Sequence, residues 1–328
     1  MTARGQGVLP GWVMFTTFFI VLVAAPRAAP PFDPERQALA YLAREVPRWA
    51  PEHRCYSCHN NGDAVRALAT ASRLGRSVKS ESLADSLRWL AQPAGWDRNG
   101  GEGPFSDKRL ATLHFAAALA ELDGAAMLKE RPALAQAARR VAALQEPDGR
   151  WRVVPDGTVG SAITHGNILA THLATRTLRR AGARDFAEAL GKADAWLRKA
   201  AVETVLDAGA LLLALGPADD PAARDCKRHC LDLIRKGEAR RGGWGPYVSS
   251  SPEVFDTAVV LLALAGLEQT PEVVAWRKRG RAFLLSAQLD DGSWPETTRP
   301  SGGDSYAQRV STTGWALLAL LSTREPRR

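Results

Sequence analysis

Cys55-Tyr56-Ser57-Cys58-His59 is the stretch whose residue types and spacing point most directly to chemistry in this 328-residue chain. Two thiols three positions apart can each form a thioether to a haem vinyl group, and the histidine that follows at once then lies beneath the iron as proximal ligand. The spacing therefore predicts one covalently held haem c, bound through Cys55, Cys58 and His59 with His59 on the iron. Two other uses of the same thiols stay open: a Cys55–Cys58 disulfide, or half of a zinc site. A zinc site would need two further donors, and the obvious ones, Cys226, His229 and Cys230, lie far along the chain.

Covalent haem attachment takes place outside the cytoplasm, and the start of the chain reads as an export signal. Arg4 precedes an apolar run from Val8 to Ala25, and small residues (Ala24, Ala25, Ala28, Ala29) follow. A positive start, an apolar stretch and small residues in that order predict a secretory signal over 1–29 and a periplasmic or secreted protein. The run is long enough that an uncleaved anchor, with membrane association through residues 8–25, is the alternative. Downstream, 30–79 is read as the haem-attachment segment with a first helical pair, and 80–328 as a repetitive body.

Composition narrows that body. Hydrophobic residues are 45% of the chain, charged residues 24% and aromatics only 7%, with ten Trp against four Tyr. Such a chain can bury a large core, which excludes wholesale disorder, and its dominance by Ala and Leu argues against an all-β fold. The net charge of +8 could serve nucleic acid or an anionic surface. With no nucleic-acid motif and an exported address, it is read as a solvated basic surface without a nucleic-acid partner.

The elements that must position any site come from an internal repeat. Leu144-Gln145-Glu146-Pro147-Asp148-Gly149-Arg150-Trp151 and Ala287-Gln288-Leu289-Asp290-Asp291-Gly292-Ser293-Trp294 are near copies, with Gln six positions before Trp and Asp-Gly between. Gly243-Trp244-Gly245 and Gly95-Trp96-Asp97 are weaker versions of the same turn. A period near fifty residues fits one helix, a Gly-rich turn and a second helix. Segments near 131–145, 186–200, 222–236 and 272–288 are amphipathic and read as outer helices. Segments near 107–122, 161–179, 203–215, 253–267 and 310–321 are apolar nearly all round and must be buried on most sides. With Pro34–Val46 and Asp63–Leu74 as a first pair, about six hairpins predict an all-α, closed α/α toroid with the CxxCH segment in its first hairpin. An open solenoid is the structural alternative.

Arg279-Gly280, Phe283-Leu284, Gln288, Gly292 and Trp294, repeated in part by Gln145, Gly149 and Trp151, resemble the "QW" repeat of squalene–hopene cyclases and related terpenoid cyclases. The resemblance covers roughly 80–325 and implies an α/α toroid in which the Gln and Trp tie neighbouring hairpins together. That family protonates its substrate from an Asp-x-Asp-Asp-Thr-Ala motif. The matching stretch is Glu253-Val254-Phe255-Asp256-Thr257-Ala258, with Phe255 where the proton-donating Asp would stand. This departure, and a chain of about half the family's length, argue against triterpene cyclisation. The zinc set of the related prenyltransferase β-subunits has no convincing Asp, Cys and His counterpart. The CxxCH segment in turn resembles that of c-type cytochromes, although no Met follows at the distance a small cytochrome domain requires.

Aligning the inner helices places His114, His165, Asp207, Asp256 and Thr313 at matching points, one polar residue per helix near one end of the barrel, with His172 two turns deeper than His165. Histidines and carboxylates that converge predict a functional pocket. His114 and His165 are the first candidates for a distal haem ligand, followed by His53 and His172, then Met127. Two functions follow as expectations. The first is a c-type cytochrome-like protein in electron transfer or haem-based redox chemistry, working with a redox partner protein. The second is a terpenoid-cyclase-like or other toroid-cavity enzyme in which Asp256, Asp207, His165 and His114 do acid–base work on a small-molecule ligand. A non-catalytic interaction module is the third reading. Cys226 and Cys230 are read as isolated thiols.

Overall fold

The computed structural model describes residues 1–2, 33–56, 58–99, 108–129, 131–154, 156–300 and 302–324, and of Cys58 and His59 only the backbone. The chain divides into two units, Met1–Phe32 and Asp33–Arg328. The signal or anchor segment expected over 1–29 lies, but for residues 1–2, outside the described residues. Among the described residues no helix is long and apolar enough to cross a membrane.

Among the described residues of Asp33–Arg328 there are twelve α-helices and no strand. They are α1 (Pro34–His53), α2 (Cys58–Arg73), α3 (Ala84–Leu90), α4 (Lys108–Gly124), α5 (Pro132–Ala142), α6 (Gly166–Gly182), α7 (Ala187–Leu197), α8 (Val205–Leu215), α9 (Pro221–Gly237), α10 (Val254–Ala265), α11 (Pro271–Ala287) and α12 (Tyr306–Ser322). Local chemistry sets their starts. Asp33, Asp220 and Thr270 each accept from a backbone N–H two or three residues into the helix, with Pro at the first helical position; the proline gives up an amide that would have had no partner there. Thr204 and Ser305 cap α8 and α12 in the same way.

The even-numbered helices form a closed inner ring, in which α2 packs on α4, α4 on α6, α6 on α8, α8 on α10, α10 on α12 and α12 back on α2. The odd-numbered helices lie outside. Only Ala223, Cys230, Ile234 and Gly237 of α9 are buried, a one-sided stripe, whereas nearly every residue of α10 and α12 is. This contrast is the difference between a helix with one wet face and a helix covered all round. The α2–α12 contact closes the ring and so excludes the open solenoid. The first helical pair belongs to that ring, with α2 one of its six inner helices.

The Trp turns hold the layers together by a repeated pattern. Trp151, Trp244 and Trp294 donate Nε1–H to the carbonyls of Val141, Ile234 and Leu284, at 2.7, 2.8 and 2.6 Å. Each also donates its backbone N–H to a threonine hydroxyl on an inner helix: Thr171, Thr257 and Thr313. The Gln of the motif reaches sideways. Gln145 Nε2 donates to Gly149 O and to Ala189 O of α7, both at 2.8 Å. Gln288 Nε2 donates to Gly292 O at 3.0 Å and to Pro34 O of α1 at 2.9 Å. The last outer helix is thereby tied to the first.

Two expectations change. The second hairpin's outer layer is the short α3 flanked by two 3₁₀ turns, Ser80–Ser82 and Pro93–Arg98, which the sequence periodicity did not separate. The inner segment predicted from 161 begins instead at Gly166, because 161–165 form a tight turn. Thr171, Thr257 and Thr313 occupy equivalent places against their Trp residues, so the hand alignment of His165, Asp256 and Thr313 is out of register. His165 precedes its threonine by six residues, Asp256 by one.

Candidate functional site

Three inner elements bring chemistry to one point. Asp63 on the second turn of α2, His114 on the second turn of α4 and His165 at the N-cap of α6 offer one ligand atom each, all within 4.8 Å of one another. Their exposures are 0%, 1% and 1%. The two imidazole centroids are 4.0 Å apart. His114 Nε2 lies 2.8 Å from Ile163 O; a carbonyl only accepts, so Nε2 carries the proton and the lone pair falls on Nδ1.

His165 is held in a backbone conformation that side chains rarely adopt, with φ 62° and ψ −32°. The turn around it is cross-bonded: His165 N–H donates to Ser161 O at 2.9 Å, and Ser161 N–H donates to Thr164 Oγ1 at 3.0 Å. Gly160 backs against it, where a Cβ would stand 2.3 Å from His165 O. A non-glycine residue kept in such a conformation costs of order 1–3 kcal/mol and survives where its surroundings over-determine it.

Asp63 is anchored on both oxygens. Arg66 Nη1 donates to Oδ1 at 2.9 Å, and the Ser311 hydroxyl of α12 donates to Oδ2. Burial pushes the Asp63 carboxyl up to about 6, opposed by Arg66 and Ser311. The Arg66 guanidinium stacks 4.4 Å from the Trp315 ring centre, and Trp315 meets both His165 and Phe255 edge-on, at 5.8 and 5.3 Å. The axis of the ring is thus filled by Arg66, Trp315, Phe255 and the two histidines.

The other predicted residues surround this set without joining it. Asp256 is fully buried and bonds Arg299 Nη2 at 2.7 Å, while Arg299 also holds Glu253. Desolvation drives the Asp256 carboxyl upward, to about 7, against the pull of Arg299. Asp207 accepts from the Thr204 hydroxyl at 2.8 Å and returns its own N–H to that hydroxyl, the reciprocal bonding of a helix cap. Burial also raises its carboxyl. Thr313 anchors Trp294. His172 lines a separate cavity of about 80 Å³ with Arg66, Glu121 and Arg176. Desolvation, with Arg176 and Arg66 nearby, pushes its imidazole down to about 3.

Around the CxxCH segment the described atoms are few. Cys55 is a free, half-buried thiol 3.4 Å from Trp49 Nε1. Tyr56 stacks on Trp89 with ring centres 4.7 Å apart. Ser57 and the side chains of Cys58 and His59 lie outside the described residues, so the expected metal role of His59 has no coordinates behind it. Backbone position places His59 one helical turn before Asp63. His53 stacks on Trp49 at 3.8 Å, and Met127 lines a surface groove with Leu87, Leu128 and Pro132. Cys226 and Cys230 are free thiols; Cys226 Sγ contacts Arg198 O, His229 Nε2 is engaged by Val202 O, and Cys230 is buried with its thiol pushed up to about 12 by desolvation. They do not converge on a point with His229.

Asp63, Arg66, Ser311 and Arg299 were not foreseen as site residues. A signal existed for Asp63: Asn60-Asn61-Gly62-Asp63 is a polar run opening a helix that is otherwise buried. Asn60 is fully buried, and neither amide atom finds a hydrogen-bond partner among the described residues.

No family model matches the chain. Part of it is 33% identical over 113 residues to lanosterol synthase erg7A of Aspergillus fumigatus, covering 33% of this chain and 14% of that enzyme. A comparable match, 31% over 106 residues, is made to lanosterol synthase ERG7 of Saccharomyces cerevisiae, again across 14% of its length. This chain therefore spans about a seventh of the curated relatives it matches. Among solved structures, the apo type II terpene cyclase MstE from Scytonema superposes with a TM-score of 0.54 at 16% identity, covering 88% of this chain and 96% of that one. A polysaccharide lyase, BACCELL_00875, superposes at 0.55 and 13% identity over 88% and 97%. At these identities the likeness is one of fold, and the chain has the terpene-cyclase-like α/α toroid.

Proposed function

We propose that the protein is a toroid enzyme working by acid–base chemistry at the N-terminal end of its inner ring, with His165 and His114 as proton-transfer groups, Asp63 as their carboxylate partner, and Asp207 and Asp256 flanking. The observation that carries this is the convergence of Asp63, His114 and His165, from three different inner elements, within 4.8 Å and almost fully buried. Burying three such groups costs free energy unless they are held for a purpose or fully compensated, and the distorted backbone at His165 adds to that cost. Asp256, tied to Arg299, steadies the 296–300 loop beside this end of the ring.

The partial likeness to lanosterol synthases and the fold of MstE support a cyclase-like framework, but three features favour another substrate. Phe255 stands in place of the family's acid and packs against Trp315. The cavity lined by His172, Arg66 and Glu121 is about 80 Å³, against the several hundred Å³ that enclose a terpenoid-sized guest. The reacting groups are histidines rather than paired aspartates. A ligand that offers a small polar group to the ring's end, such as an acidic glycan, suits this site better than an enclosed triterpene. The test is turnover of an acidic polysaccharide and of a prenylated arene. Product is expected from the glycan, falling 10²–10⁴-fold in His165→Gln; product from the arene alone would overturn the substrate class, and product from neither would overturn the enzyme.

A second reading keeps the CxxCH segment as a haem-attachment site. It is favoured by the free Cys55 thiol and by α2 beginning at Cys58, so that the pentapeptide straddles a helix start. Haem enclosed by the described residues does not fit. The cavity beside that helix start, lined by Tyr56, Asn61, Val65, Trp89 and Phe115, holds about 10 Å³. At Gly62 the helices α2 and α4 approach closely, a Cβ there standing 3.4 Å from His114 O. No step is assigned to such a group. A reduced-minus-oxidised spectrum that survives denaturation and acid-acetone extraction would establish the attachment; loss of the band on extraction would remove it.

A further inference from the structure

We infer that Asp63, His114 and His165 form a binding site for one divalent transition-metal ion of the zinc class. The inference deepens the reading above, because it uses the same three side chains. Two imidazole nitrogens and one carboxylate oxygen are the donor set that suits Zn²⁺ and its neighbours, and three protein ligands leave a further position open to water or substrate. This set differs from the Asp, Cys and His combination sought and not found in the sequence.

Geometry beyond the donor types points the same way. The three ligand atoms lie within 4.8 Å of one another, and a tetrahedral ion with bonds of about 2.0–2.2 Å draws its ligands to roughly 3.3–3.6 Å; rotations of about an ångström at the side-chain tips close that difference. The 2.8 Å contact from His114 Nε2 to Ile163 O has the form in which metal-binding histidines are oriented, the second ring N–H given to a backbone carbonyl and the lone pair aimed inward. Asp63 has the corresponding support from Arg66 and Ser311, which fix the carboxylate plane. The unusual φ of His165 fixes where its ring stands. Placing every ligand on or at the cap of an inner helix gives the rigidity a metal site needs.

Charge is accommodated. Asp63 supplies one negative charge to the ion, and Arg66, the nearest cation, has part of its own charge taken up by the Trp315 face and by Glu121. The ring is closed around the site, so a bound ion would exchange slowly.

The test uses the full chain, stripped with a chelator and titrated with Co²⁺ and then Zn²⁺, following the visible d–d bands of cobalt and the calorimetric stoichiometry. One equivalent is expected, with Co²⁺ bands of tetrahedral intensity displaced by Zn²⁺. His114→Gln and His165→Gln are each expected to weaken binding at least 100-fold while Cys55→Ser/Cys58→Ser binds as the parent does. Circular dichroism of each variant separates a lost ligand from a lost fold, and His165→Asn serves where His165→Gln does not fold. Absence of saturable binding in the folded parent, or one-equivalent binding retained by both folded histidine variants, overturns the site; so does binding abolished only by the cysteine pair. Metal bound without turnover would leave the site standing and remove the enzyme reading, whereas turnover unaffected by chelation would do the reverse.

Discussion

Gln288, at the end of the last outer helix, donates its side-chain amide to the backbone carbonyl of Pro34, at the start of the first, over 2.9 Å. The two residues are 254 positions apart in sequence, and their contact is the outer seam of the ring. Gln145 makes the same contact to Ala189 of the neighbouring outer helix, so closure uses a device that also joins adjacent hairpins.

That seam gives a graded prediction. Gln288→Ala removes one half-buried hydrogen bond to each of two carbonyls and is expected to cost about 1–3 kcal/mol. Gly292→Ala is expected to cost more, since Gly292 has φ +89° and an added Cβ would stand 2.5 Å from Gln37 O. In a domain of this size each kcal/mol lowers the unfolding midpoint by about 2–4 °C. Thermal unfolding of the two variants checks the order; equal midpoints would contradict the account of the seam.

The Trp turns predict near-equivalence. Trp151→Ala, Trp244→Ala and Trp294→Ala each empty a fully buried site and each release a carbonyl of an outer helix. Each is expected to cost about 3–5 kcal/mol. Replacement by Phe, which keeps most of the volume and loses only the Nε1 bond, is expected to cost about 1–3 kcal/mol. Denaturant unfolding measures both, and a Phe variant as damaged as its Ala partner would show that volume is not what the turn supplies.

His172 makes stability depend on pH. Its imidazole is held down to about 3 in the folded chain, with an ordinary value of 6.5 when unfolded. Between those values the unfolded chain binds the extra proton, so the contribution of His172 is full above pH 6.5 and falls as pH drops toward 3, while Asp63 and Asp256, with carboxyls raised by burial, act in the opposite sense. His172→Gln is expected to flatten that part of the stability profile. An unchanged slope in the variant would assign the acid sensitivity elsewhere.

How far sequence could reach is seen in particular residues. Gln145 to Trp151 and Gln288 to Trp294 repeat a spacing that only a hairpin ring explains, and the helices alternate between one wet face and none, so the toroid was legible. His114 and Asp207 were also legible as polar residues on apolar helices, and His165 as a polar residue beside one. What was not legible is which of them meet. Asp63 reaches His114 and His165 only through ring closure between α2, α4 and α6, at sequence separations that no local pattern records. The register of α6 was lost for a related reason: nothing in the types of 161–165 marks a helix boundary, and only the turn bonded through Ser161 and Thr164 shows that His165 stands before the helix and not in it.

The most direct test of the central claim compares His165→Gln with Cys55→Ser/Cys58→Ser on the substrate found to turn over. The account predicts that kcat/KM falls at least 100-fold in the histidine variant, with its unfolding midpoint still that of a folded chain, and that it stays within about twofold of the parent in the cysteine variant. Activity that survives the loss of His165 and disappears with Cys55 and Cys58 would contradict it, and would move the chemistry from the ring to the CxxCH segment.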